Sequence, residues 1–254
     1  MKRNILLTIE YDGTHFHGWQ RQPGTRTCQG ELERVLSILC AQEITIEGTS
    51  RTDAGVHALD QKATLRGDFS IPAENIPPAA NNLLSGGRNS SRDGDIRIVS
   101  AVEAADGFHA RFSCRGKKYI YRIRNSRESD VFGRDRYWRI SEKLDTDAMR
   151  NAAQYITGTH DFACFQAAGG QERESTVRTV FGLDVIVAGD DIEIHIEGDG
   201  FLYNMVRIIA GTLAEAGRGR IAPEYIKEII EGRDRTKAGP TAPPQGLYLA
   251  KVYY

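Results

Sequence analysis

Apolar and polar positions alternate loosely from Ile5 to Tyr11, and that period of two predicts a strand. From Gln29 to Leu39 the apolar residues Leu32, Val35, Leu36 and Leu39 recur at helical spacing. Ile44-Thr-Ile46 and Ala58 to Leu65 read as two strands flanking a polar loop bounded by glycines. Pro72 to Gly87, with Pro77-Pro78 ahead of Ala79-Ala-Asn-Asn-Leu-Leu84, predicts a short helix ended by Gly86-Gly87, and Ile96 to Val102 a further strand. The second half repeats the mixture. Lys117 to Arg124 is a strand that puts Tyr119, Tyr121 and Ile123 on one face and Lys118, Arg122 and Arg124 on the other. Asp145 to Ile156 is a helix with Met149, Ala152, Ala153 and Ile156 on its apolar side, and Val177–Val187 with Ile192–Ile196 is a hairpin across Gly189-Asp-Asp191. Leu202 to Ala216 is a helix closed by Gly217, Pro223 to Glu231 another with Pro223 in its first turn, and Leu247 to Tyr253 a last strand.

Strands and helices in mixed order in both halves predict an α+β fold with antiparallel pairing and a pseudo-repeat. The division is expected near Asp106-Gly107, giving domains 1–106 and 107–254, although no low-complexity linker marks it. A chain of 254 residues is large enough for two modest cores. No apolar run reaches the length of a membrane span, and Met1-Lys-Arg-Asn leads straight into a strand rather than a signal peptide. Together these predict a cytoplasmic protein without a membrane partner. Cys28, Cys40, Cys114 and Cys164 form no C-x-x-C pair, so neither a zinc motif nor a disulfide framework is expected. His15 and His17 flank Phe16 without an evident third ligand, and no metal is expected.

Net charge, −1, does not advertise an anionic partner, but its distribution does. Arg111, Arg115, Lys117, Lys118, Arg122, Arg124, Arg127, Arg134, Arg136 and Arg139 fall in one segment, opposed locally by Glu128, Asp130 and Asp135. Such a run is either a solvated basic face or a phosphate-binding surface.

The loop Gly48-Thr-Ser-Arg-Thr-Asp-Ala-Gly-Val-His57 holds the most specific chemistry. One carboxylate, Asp53, stands between the two strands, with Arg51 two residues before it and His57 four after. An acid in such a place either caps backbone groups in a turn or serves as an ionised nucleophile, which a neighbouring cation favours.

Arg51-Thr-Asp-Ala-Gly-Val-His-Ala58 resembles the signature loop of the pseudouridine synthases, and most closely that of the tRNA pseudouridine synthase A family. Tyr11-Asp-Gly13, Gly18-Trp-Gln-Arg-Gln22, Phe108-His-Ala-Arg-Phe112, Lys118-Tyr-Ile-Tyr121, Asn204-Met-Val-Arg207 and Gly246-Leu-Tyr-Leu249 follow the family's order. Ser50 departs from it, standing where the family usually has glycine; a positive φ there would be strained.

The resemblance implies two ferredoxin-like halves with antiparallel sheets joined around a central cleft, the pseudouridine synthase fold. It implies isomerisation of uridine to pseudouridine in the anticodon stem-loop of tRNA, at positions 38 to 40, by a homodimer. The reaction breaks the bond from N1 to the ribose, turns the base and joins C5 to the ribose. That bond arithmetic requires no redox change, energy source or cofactor.

By the same resemblance Asp53 is the nucleophile, Arg207 the arginine that lies against it, and Tyr119 the active-site tyrosine. Arg51 would fill the gap left by a flipped base or hold its phosphate; the alternative is a structural pair with Asp53. His57 is either an RNA contact or a hydrogen-bonded structural histidine. Arg111, Arg115, Lys117 and Lys118 are the expected backbone contacts to tRNA. A reading from another class, a non-catalytic RNA-binding or RNA-folding protein with the same fold, is opposed by the presence of Asp53, Tyr119 and Arg207.

Overall fold

The N-terminal alternation forms strand β1 (Arg3–Tyr11), in which Ile5, Leu7 and Ile9 are wholly buried. The structure is a computed structural model that describes residues 2–86, 94–170 and 174–254. Among these residues it has ten strands and five α-helices, an α+β fold. The chain divides into two compact units, Met1–Arg115 with Leu249–Tyr254, and Gly116–Tyr248.

In the first unit β1 is followed by α1 (Cys28–Cys40), β2 (Ile46–Gly48), β3 (His57–Gly67), α2 (Ile76–Leu84) and β4 (Ile96–Glu103). β1 lies antiparallel between β3 and β4, and β2 pairs with β3. This β-α-β-β-α-β succession with strand order 4-1-3-2 is the ferredoxin-like arrangement. The periodic residues Leu32, Val35 and Leu36 of α1, with Ile76 and Ala80 of α2, join the strand residues in a buried core. Each large apolar side chain so buried contributes about 1.5–3 kcal/mol.

Local chemistry sets the ends of these elements. Thr27 caps α1, its Oγ1 accepting from Gly30 N at 3.3 Å. Ile44, expected in a strand, lies before β2 because its N–H is taken by Ser37 Oγ of α1 at 2.9 Å. α2 begins at Ile76, after a single 3-10 turn (Ala73–Asn75), with the two prolines at its start. Gly86 takes a positive φ beyond its end, and Gly87 lies outside the described residues.

The first unit runs past the expected 106/107 boundary. Asn4 Nδ2 donates to Ala105 O (2.7 Å) and Phe108 O (2.9 Å), and Ala110 N donates to Thr64 Oγ1 (3.2 Å). The division therefore falls at Arg115–Gly116. The chain end returns to the first unit, with Val252 N donating to buried Asp60 Oδ2 at 2.9 Å.

The second unit holds β5 (Gly116–Asn125), β6 (Trp138–Ile140), α3 (Thr146–Gln154), β7 (Gly158–Asp161), β8 (Val177–Ala188), β9 (Asp191–Gly198), α4 (Met205–Gly217) and α5 (Tyr225–Gly232). Its sheet runs β5-β9-β8-β7, antiparallel, with the short β6 parallel to β5. β10 (Leu247–Tyr253) contributes its first two residues to this unit and the rest to the other. Asp145 caps α3, accepting from Asp147 N (2.9 Å) and Ala148 N (3.0 Å).

α4 starts three residues later than expected, because Asn204 is left-handed at φ 60. Gly217 belongs to the helix and packs on Met149, while Gly219 at φ 70 follows its end. α5 begins at Tyr225, so Pro223 precedes its first turn. Strands β6 and β7, of three and four residues, are too short to leave a periodic signal.

One face of the second sheet is apolar, with Tyr121, Ile123, Val185, Ile192, Ile194 and Ile196 buried. On the other, the cations of β5 meet acids directly opposite on β9. Lys118 pairs with Glu197 (3.0 Å), Arg122 with Glu193 (3.0 Å) and Arg124 with Asp191 (2.5 Å). The basic run is thus partly neutralised by residues some seventy positions away, which its local composition does not show.

Candidate active site

The Asp53 loop is built by groups that grip its backbone on both sides. Gln61, wholly buried on β3, clamps Ser50: its Oε1 accepts from Ser50 N (3.2 Å) and its Nε2 donates to Ser50 O (2.7 Å). Ser50 itself has no positive φ, so serine is accommodated there without backbone strain. Buried Thr52 is held through its hydroxyl, 2.6 Å from Tyr11 Oη, and its carbonyl accepts from Trp19 N at 3.0 Å.

Gly18 makes that approach possible. A Cβ there would stand 2.8 Å from Thr52 O, and its φ is 85. Asp53 O then accepts from Val56 N (3.2 Å), closing a turn whose third residue, Gly55, has φ 78. At the loop's start Thr49 Oγ1 lies 2.9 Å from Ala110 O and 3.0 Å from Tyr254 Oη. Burial pushes the Tyr254 phenol up to about 12, which keeps it a donor. The result is a partly exposed Asp53 on a loop whose Thr49, Ser50, Thr52, Val56 and His57 are buried, while Arg51 and Ala54 are exposed.

His57 is 2% exposed and offers no surface to an RNA, so of its two expected roles the packing favours the structural one. Its Nδ1 accepts from Gly13 N at 3.1 Å and lies 3.2 Å from Asp12 Oδ1. With Nδ1 bare the ring accepts from Gly13; with the proton on Nδ1 it donates to Asp12. The Asp12 carboxyl is held well below the usual carboxylate range, first by His57 and then by Thr14, against its partial burial. A depressed folded-state pKa stabilises above the ordinary Asp value of ~3.9 and is lost as pH falls below it. The stability gap between wild type and Asp12→Asn is therefore expected to be full at neutral pH and to close below pH ~4. Urea unfolding of both proteins from neutral pH into this range checks it; a gap unchanged by acid would contradict the assignment.

The second unit carries the other candidates. Tyr119 on β5 meets Phe201 edge to face, with ring centroids 5.2 Å apart. Its neighbour Tyr121 is buried and donates to Pro243 O at 2.7 Å, a core role. Arg207 stands in the first turn of α4. Its Nε donates to Ala242 O (2.7 Å) and an Nη to Asn204 Oδ1 (2.9 Å), which fixes the plane of the guanidinium.

The expected RNA contacts differ in environment. Arg51 and Arg115 are exposed, Arg111 lies over the Phe112 ring, and Lys118 is the residue paired with Glu197. Cys28 and Cys164 are buried thiols, and Cys40 and Cys114 are half-buried.

Comparison with known proteins decides what these loops belong to. The family model described as tRNA pseudouridine synthase matches residues 7–113 and 152–254. The chain belongs to the tRNA pseudouridine synthase family. It is 48% identical over 253 residues to tRNA pseudouridine synthase A of Ruminiclostridium cellulolyticum, covering 99% of this chain and 100% of that one. With tRNA pseudouridine synthase A of Bacillus subtilis it is 46% identical over 252 residues, covering 98% of each. Asp53 and Arg207 lie inside the matched family segments, whereas Tyr119 lies between them. Members of the family are isomerases.

Several residues that build the site escaped the sequence reading. Gln61 acts on backbone groups of Ser50, and Ala242 acts through its own backbone groups on Arg207. The one available signal was the polar run Asp60-Gln61-Lys62, which breaks the alternation inside a strand.

Proposed function

We propose that this protein isomerises uridine to pseudouridine in the anticodon stem-loop of tRNA, at positions 38 to 40. The identity of 45 to 48% over nearly the whole chain with enzymes named tRNA pseudouridine synthase A carries this reading. Asp53 is the nucleophile, forming a covalent adduct while the N1 bond to the ribose breaks; the C5 bond then forms and the adduct splits, which regenerates the carboxylate. The proton on C5 is lost and N1 takes one up, and the hydroxyl of Tyr119 helps move it. The Tyr119 ring stacks on the uracil, which contributes roughly 1–3 kcal/mol. Arg207 supplies positive charge to the reaction. A uridine within a stem must first leave its stack, and Arg51, exposed beside Asp53 in sequence, takes up its place or its phosphate.

The protein acts as a homodimer in the cytoplasm, one tRNA touching both subunits. A two-fold pair sets a second basic surface at a fixed distance from the first active site, so it senses the tRNA body without reading local bases. Among the described residues no helix is long and apolar enough to cross a membrane.

Release of tritium from C5-labelled uridine in tRNA, with pseudouridine mapped in a deletion strain with and without this chain restored, tests the activity and its positions. Binding without release would favour the non-catalytic RNA-binding alternative.

Binding is expected to weaken steeply with salt, because each phosphate contact releases condensed counterions. Arg111→Ala and Arg115→Ala should each flatten the slope of log K against log salt by about 1. Lys118→Ala should flatten it less, since Glu197 already faces that ammonium. Filter binding over a salt series measures this, and equal effects at Lys118 and Arg115 would refute the distinction.

A further inference from the structure

We infer that the segment Arg235–Pro243 is a strap that sets the guanidinium of Arg207, with Thr212 and Arg235 as its positioning residues. The inference rests on the reading of Arg207 as a group that supports the reaction.

A single strap residue, Ala242, holds Arg207 at both ends. Its N–H donates to Arg207 O at 3.0 Å, and its carbonyl accepts from Arg207 Nε at 2.7 Å. Any shift of Ala242 along α4 therefore moves the head of the side chain relative to its own backbone. Arginine has four rotatable side-chain bonds, so a bond at Nε is what turns a mobile cation into a directed one.

The strap in turn is fixed to α4 by backbone contact. A Cβ on Gly211 would lie 1.8 Å from Pro240 O, and one on Gly239 would lie 2.6 Å from Thr212 Cα. Glycine at both positions lets two main chains touch. The hydroxyl of Thr212, wholly buried, sits at this crossing. It accepts from Gly239 N at 2.9 Å and donates to Ile208 O at 2.8 Å.

On the other side Arg235 folds the strap over itself. Its Nη1 donates to Gly239 O (2.9 Å) and its Nη2 to Thr241 Oγ1 (3.2 Å). Beyond Ala242 the strap is anchored by Tyr121 Oη on Pro243 O. Gly239, Thr241 and Pro243 are thus each fixed, and Ala242 between them is 1% exposed. A helix needs no such apparatus to fold; a guanidinium that must not wander does.

The test uses Thr212→Val, which keeps the shape and removes the hydroxyl, Thr212→Ser, which restores it, and Arg235→Ala, at a half-buried site where misfolding is a smaller risk. Turnover on tRNA is measured with kcat and KM separated, beside thermal unfolding. T212V and R235A are expected to lower kcat about tenfold or more with KM within about twofold, and T212S to recover most of it. Each is also combined with Arg207→Lys. If the strap acts through Arg207, adding T212V to R207K changes kcat much less than it does in wild type.

Wild-type kcat in folded T212V and R235A would overturn the inference, as would losses that multiply fully with that of R207K. If Arg207→Ala is itself fully active, the parent reading fails and the strap with it. If R207A is inactive while T212V and R235A turn over normally, the strap alone is refuted.

Discussion

Asp53→Ala and Asp53→Asn proteins are expected to fold, bind tRNA and make no pseudouridine. The fold should survive because the loop is gripped elsewhere: Gln61 holds Ser50, Tyr11 and Trp19 hold Thr52, and the turn at Asp53 uses its main-chain carbonyl, which both variants keep. Affinity should survive because it comes from phosphate contacts spread over many cations. A loss of no more than about tenfold, roughly 1.4 kcal/mol, is expected. Chemistry should not survive, because neither alanine nor a neutral amide can form the covalent adduct. Residual multiple turnover by purified D53A would sink the nucleophile assignment, and retained binding with no turnover would separate this enzyme from an RNA-binding protein of the same fold.

Arg207→Ala should lower kcat by about a hundredfold or more, the scale on which a placed electrostatic group acts in a reaction. Its neighbours make the effect directional. Alanine leaves Ala242 O and Asn204 Oδ1 without the donors that now face them, besides removing the charge. Arg207→Lys should retain more activity, since the charge persists although the planar fork does not. Measuring kcat for both, with circular dichroism to confirm that α4 is intact, separates charge from geometry. A folded and fully active R207A would refute any role in the reaction.

Much of the architecture was legible because periodicity is a local property. Leu32, Val35 and Leu36 declare α1 through their own spacing, and the alternation of Ile192, Ile194 and Ile196 declares β9. The Asp53 loop could be singled out for the same reason: an acid, an arginine and two glycines stand within ten residues. His57 shows where that reach ended. Its position four residues after the acid suited either an RNA contact or a structural role, and burial against Gly13 and Asp12 favours the latter. The basic run is a second instance. Its composition argued for an open cationic face, yet β9 sets an acid opposite Lys118, Arg122 and Arg124.

The sequence by itself determined the longer secondary elements, the α+β class and, through motifs in a fixed order, the family. Each of these is written in neighbouring residues or in their succession along the chain. Tertiary structure alone decided that 107–115 and 249–254 belong with the first unit, that Gln61 and Tyr11 hold the Asp53 loop, and that Ala242 holds Arg207. Those are hydrogen bonds across 11 positions for Gln61 and Ser50, 41 for the hydroxyls of Tyr11 and Thr52, and 35 for Arg207 and Ala242, two of the three ending on a main-chain group. A backbone N–H or carbonyl has the same chemistry in every residue, so nothing in the local pattern says which distant partner it will meet.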